Sequence, residues 1–145
     1  MSTYENIRYD YALPSGYGGA LVHIKTLTAS SSSNLSFVHG SSDVVLDSTY
    51  RTYIFKLINI HPSAQAFFGF NFSTDAGSNY NVTKTSTNFR AYHDEGDSST
   101  DLDYKDGDDI AQGTGQVLTA GNLGTGNDES LSGELWLFNP ASSTY

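Results

Sequence analysis

The chain has 145 residues, with 16 acidic side chains against seven Lys and Arg, a net charge of −9 and no cysteine. That length predicts one domain, the missing cysteines exclude disulfides and thiolate metal sites while leaving the compartment open, and the acidity without any basic cluster argues against nucleic acid as a partner. No apolar run approaches the roughly 20 residues of a membrane span, and Met1-Ser2-Thr3-Tyr4-Glu5 lacks the basic and apolar regions of a secretory leader, so a soluble, cytoplasmically made product is expected.

Residues 1–19 carry Tyr4, Tyr9, Tyr11 and Tyr17 with Pro14 and show neither helical nor strand period, so they are expected to be an extended arm. Tyrosine suits an arm packed on its own domain or docked on a neighbouring subunit, because its ring buries while its hydroxyl stays paired. A β-sandwich domain is expected over 20–145. Ala20 to Thr28 alternates in part and predicts a half-buried strand; after a Ser-rich loop, Leu35 to Val38 predicts another and Asp43 to Asp47 a short strand or turn edge.

The strongest signal comes next. Tyr53, Phe55 and Leu57 form one apolar face, and Ile54, Ile58 and Ile60 share the other with Lys56, which is a strand covered on both sides. His61-Pro62 ends it, since proline donates no ladder hydrogen bond. Phe67 to Phe72 resumes the strand pattern and stops at Ser73-Thr74-Asp75-Ala76-Gly77, and the two runs predict an antiparallel pair at the centre of the sandwich. Tyr80 to Tyr92 predicts one or two strands, Asp94 to Asp109 an acidic loop, Gln116 to Thr119 a weak strand and Gly121 to Asp128 a glycine-rich connection. Leu131 to Phe138 predicts a strong strand ended by Asn139-Pro140. About eight strands with short connections predict an all-β, jelly-roll-like antiparallel sandwich. Such a fold would ordinarily return another strand after Pro140, so either C-terminal strands are lacking or a neighbour supplies the partner strand.

Chemistry is sparse. In the acidic stretch, Asp101, Asp103 and Asp106 are the candidate calcium ligands, because Ca²⁺ takes oxygen donors from flexible loops; the spacing exceeds that of an EF-hand by one residue and no glutamate closes it. The competing reading is a solvated acidic loop. His23, His39, His61 and His93 lack metal-binding spacing, no G-x-S-x-G elbow occurs, and Gly121 to Asn127 lacks the lysine of a phosphate cradle. No enzyme is expected. Trp136, sharing a face with Glu134 and Phe138, fits the core, a subunit interface or a platform for stacking a saccharide.

Three motifs carry a resemblance. Ile58-Asn59-Ile60-His61-Pro62, then Phe70-x-Phe72-Ser73-Thr74-Asp75-x-Gly77-x-x-Tyr80 with Asn81-Val82-Thr83-Lys84-Thr85, and finally Ser132-Gly133-x-Leu135-x-Leu137-Phe138-Asn139-Pro140 resemble a family of virion structural proteins of marine tailed bacteriophages, especially cyanophages. The resemblance covers roughly residues 45–145 and implies a non-enzymatic virion subunit, a capsid decoration or cement protein or a tail or fibre component, assembled in the host bacterial cytoplasm. It implies a homo-oligomer, in the first instance a trimer, in contact with other virion proteins, without nucleic acid or membrane. The interface residues expected are Tyr4, Tyr9, Tyr11 and Tyr17 of the arm with Trp136 and Phe138 of the last strand. The alternative expectation is a calcium-dependent carbohydrate-binding module that recognises host-surface glycans.

Overall fold

A computed structural model describes residues 21–143, and the arm tyrosines Tyr4, Tyr9, Tyr11 and Tyr17 lie outside them. The described chain is all-β: β1 (Thr52–Ile60), β2 (Ala66–Phe70), β3 (Lys84–Ser86), β4 (Phe89–His93), β5 (Thr100–Tyr104), a single 3-10 turn (Asp106–Asp108), β6 (Ile110–Gly113), β7 (Val117–Leu123) and β8 (Leu131–Phe138). All pairing is antiparallel, and it is nested: β1 with β8, β2 with β7, β3 with β6, β4 with β5. That is one long hairpin folded on itself, the connectivity of an eight-stranded jelly roll. Each strand has one hydrogen-bonded strand neighbour, so the sheets are two-stranded.

This nesting corrects the expected β1–β2 pair. The five residues between those strands include His61-Pro62, which carry the chain out of one pair and into the next. The alternating runs instead find partners late in the chain, where Tyr53 faces Leu137 and Phe55 faces Leu135. A register break between Leu57 and Ile60 marks a bulge, with Asn59 at φ 53° and its amide donating to Ser132 Oγ (3.1 Å). Beyond the strand, the Asn139 amide donates to the Arg51 carbonyl (2.8 Å) and lengthens the ladder by one bond.

No strand precedes Thr52 among the described residues, contrary to the strands expected over 20–28 and 35–38, while 43–47 follows its turn-edge alternative. Leu21 and Val22 are exposed with nothing to alternate against. Further on, Gly40, Ser42 and Asp43 all take positive φ, which bends the chain into tight turns closed by the Gly40 amide on the Val44 carbonyl (2.9 Å) and the Val44 amide on the Ser41 carbonyl (3.0 Å). The folded-back segment caps β1. Val44 and Tyr53 are the two described side chains that are buried, Phe37 meets Phe55 edge-on at 5.3 Å, and Tyr50 meets Tyr53 at 5.8 Å. The Tyr53 hydroxyl accepts from the Asp47 amide (3.0 Å) and donates to the Asp47 carbonyl (2.9 Å), fixing this small core.

Polar turns tie the pairs together. Asp75 accepts from Ser73 Oγ (2.6 Å) and from the Asn79 amide and side chain (2.8 and 2.7 Å), which hold its carboxyl down to about 2. Asn71 donates to the carbonyls of Tyr80 and Thr114 and accepts from Lys84 Nζ (2.6 Å), joining the end of β2 to the strands that follow. Space is short at Gly69, where a Cβ would strike the Val117 carbonyl, and tight at Gly121, where one would sit 3.0 Å from the Phe67 ring.

Candidate interaction surfaces

Pairing across an antiparallel ladder puts directly opposed residues on one face, and this decides where each aromatic lies. On β1–β8, Tyr53, Phe55, Leu135 and Leu137 point to the capped side. The opposite face carries Ile54, Lys56 and Ile58 beside Glu134, Trp136 and Phe138. Trp136 is 50% and Phe138 64% exposed, and their rings stack at 6.3 Å. Lys56 pairs with Glu134 (2.7 Å) and the indole Nε1 donates to the other Glu134 oxygen (3.1 Å), so the Lys56 ammonium, then the indole, hold this carboxyl below its usual range. The result is a flat, open, aromatic face with one internally neutralised charge pair. Of the three settings expected for Trp136, the core does not apply.

The acidic stretch is largely a hairpin rather than a loop. The Asp94 carboxylate accepts from Ser98 Oγ and from the Ser98 and Ser99 amides (2.7 and 2.8 Å), which lowers its pKa and closes the β4–β5 turn. One face of this hairpin is polar. Arg90 Nε donates to Asp103 (2.9 Å), the Arg90 guanidinium lies 4.6 Å from the centre of the Tyr92 ring, and Lys105 Nζ lies 3.5 Å from the second Asp103 oxygen. These contacts, the Arg90 bond first, depress Asp103 and raise Arg90. The other face opposes Phe89 to Tyr104 and Ala91 to Leu102, with Phe89 74%, Leu102 71% and Tyr104 57% exposed. The Tyr104 hydroxyl donates to Asp109, and that hydrogen bond pushes the phenol up.

The three proposed calcium ligands therefore part company. Asp101 and Asp103 stand on β5, with Asp103 engaged by two cations, and Asp106 lies in the 3-10 turn. Among the described residues no group of three carboxylate or imidazole side chains is gathered for a metal. His93 bonds Asp97 (2.7 Å) and His61 bonds Asn59 (3.0 Å), both as local turn contacts. Among the described residues no helix is long and apolar enough to cross a membrane.

Between the β2–β7 and β4–β5 pairs lies an open cleft of about 420 Å³, lined by Phe67, Asn88, Phe89, Arg90, Tyr92 and Lys105, with Asp108, Leu118, Thr119 and Gly121 completing it. Sequence reading did not single it out. Its one local signal is the alternation of Phe89, Ala91 and His93 against Arg90 and Tyr92, and the partner strands come from elsewhere in the chain. The chain matches no family model, no curated protein and no solved structure.

Proposed function

We propose that this chain is a non-enzymatic virion structural subunit of a tailed bacteriophage, a capsid decoration protein or a tail or fibre component, that works by assembling with copies of itself and with other virion proteins. The observation that carries the assembly part is the outer face of β1–β8, where Trp136 (50% exposed) and Phe138 (64% exposed) stack on a two-stranded sheet. Patches of this kind on sheets with open edges mark contact surfaces, and strand addition at an edge gives them register. The virion setting is supported by the three strand-and-turn motifs over residues 45–145. Closed symmetry would cover the same patch on every subunit, and a trimer is the first arrangement to test.

Light scattering on residues 1–145 tests it. A closed ring is expected, and a monomer that stays dispersed at about 100 µM, far above the Kd of a stable interface, overturns it. A second reading, a carbohydrate-binding module, is favoured by one observation, the exposed indole of Trp136 stacked on Phe138. With Asp103 held by Arg90 and Lys105, that reading is carried without calcium. A change in Trp136 fluorescence on adding a glycan would favour it.

A further inference from the structure

The cleft between β2–β7 and β4–β5 differs in kind from the flat β1–β8 face. It is concave, and it interleaves rings with polar groups that have no protein partner. Phe67 is 62% and Tyr92 38% exposed, and these are its two rings. The half-buried Asn88 is held through its backbone, its amide donating to Asp109 (2.8 Å) and its carbonyl accepting from Lys105 (2.7 Å), which leaves the side-chain carboxamide directed to no protein group. The Asp108 carboxylate is likewise unengaged, in a turn fixed by its own amide on the Lys105 carbonyl (3.0 Å). Arg90 spends only Nε on Asp103, so its terminal nitrogens remain as donors.

The charges decide the ligand class. Asp103 offsets one of the two cations Arg90 and Lys105, and Asp108 offsets the other, so the cleft has no net pull on a phosphate or carboxylate. A large apolar ligand would strand the Asn88 amide and the Asp108 carboxylate without partners. What matches exposed ring faces beside a carboxamide, a carboxylate and spare guanidinium donors is a neutral polyhydroxylated ring, whose C–H face stacks on an aromatic while its hydroxyls both donate and accept. The volume lies within the range of small-molecule sites.

We propose that this cleft binds a neutral saccharide, with Phe67 and Tyr92 as stacking surfaces and Asn88, Asp108 and Arg90 as hydroxyl partners. No calcium is needed, and Trp136, which does not line the cleft, takes no part. The proposal is separate from the assembly reading and survives if that one fails.

The test is isothermal titration of the full chain with neutral hexasaccharides of α-1,4-glucose, β-1,4-glucose, mannose and N-acetylglucosamine, with EDTA present. At least one is expected to bind at or below about 10 mM. Phe67→Ala and Asn88→Ala should each weaken it about tenfold, the effect of one lost stacking or hydrogen-bonding contact, while Trp136→Ala leaves it unchanged. Asp108→Asn, a change at a side chain free of hydrogen bonds, keeps the fold intact and should weaken binding as well. Binding by none of the four sugars overturns the proposal, as does binding that falls with Trp136→Ala and not with Phe67→Ala. Should Phe67→Ala instead dissociate an oligomer without touching sugar affinity, the cleft is a subunit contact and the proposal is overturned.

Discussion

Single residues hold this fold more through hydroxyls and carboxylates than through buried bulk. Tyr53 is the clearest case: its ring is 4% exposed, and its hydroxyl both donates to and accepts from the Asp47 backbone. Tyr53→Phe keeps the ring and strands those two groups, so a loss of about 1–3 kcal/mol is expected in urea denaturation. Asp75 gives a pH signature. Its folded pKa of about 2 lies below the ordinary aspartate value of about 3.9, because its ionised form accepts from Ser73 and Asn79. Its contribution is therefore complete above about pH 5 and is lost as pH falls through about 4 towards 2. Denaturation midpoints of the wild-type chain and Asp75→Asn should differ at pH 6 and converge near pH 2, and a constant gap across that range would refute this account. Gly77, at φ 81° with Val38 Cγ2 2.9 Å from any added Cβ, should lose about 1–3 kcal/mol as alanine, from strain and crowding together.

At the level of elements, legibility followed period. The alternation in Tyr53 to Ile60 and Leu131 to Phe138 placed β1 and β8 almost to the residue, because both strands satisfy their pattern locally. Strand β5 was hidden for a different reason. Thr100-Asp101-Leu102-Asp103-Tyr104 does alternate, yet its aspartates read as part of a charged run, and only Arg90 across the ladder explains why a strand carries them. The early segments failed the other way, since the strand expected at Leu35 to Val38 is replaced by chain that runs into the turns set by the positive φ of Gly40, Ser42 and Asp43. Strand β7 runs on to Leu123, through a glycine that reads as a linker and in fact leaves room for the Phe67 ring. The face chosen by Trp136 was undecidable beforehand, because Leu135 and Leu137 make the opposite side equally apolar. Trp136→Ser with Phe138→Ser should leave the circular dichroism spectrum of the chain intact and abolish assembly in light scattering. Loss of the strand signal itself would mean that these rings stabilise the subunit rather than its contacts.

For the whole molecule, pairing partners were the least accessible part of the sequence reading. Which strand meets which depends on contacts between distant segments, and no window of ten residues contains that information. The cleft was invisible for the same reason, being built by β2, β4 and β7 together with the turn after β5. Nesting also imposes an order on folding. Arg90 and Asp103 are 13 positions apart, whereas Lys56 and Glu134 are 78 apart. Closing the outer pair directly costs more chain entropy than closing it after the inner pairs have drawn its ends together. Folding that zips outward from the Asp94–Ser99 turn is therefore the expected order. Asp94→Ala, which removes the carboxylate that closes that turn, should slow refolding by nearly its full effect on stability, while Lys56→Ala should speed unfolding and leave the refolding rate nearly untouched in stopped-flow measurements. The strand pair that presents Trp136 and Phe138 would then be the last to form, so the face proposed for assembly comes into existence only when the chain beneath it is folded.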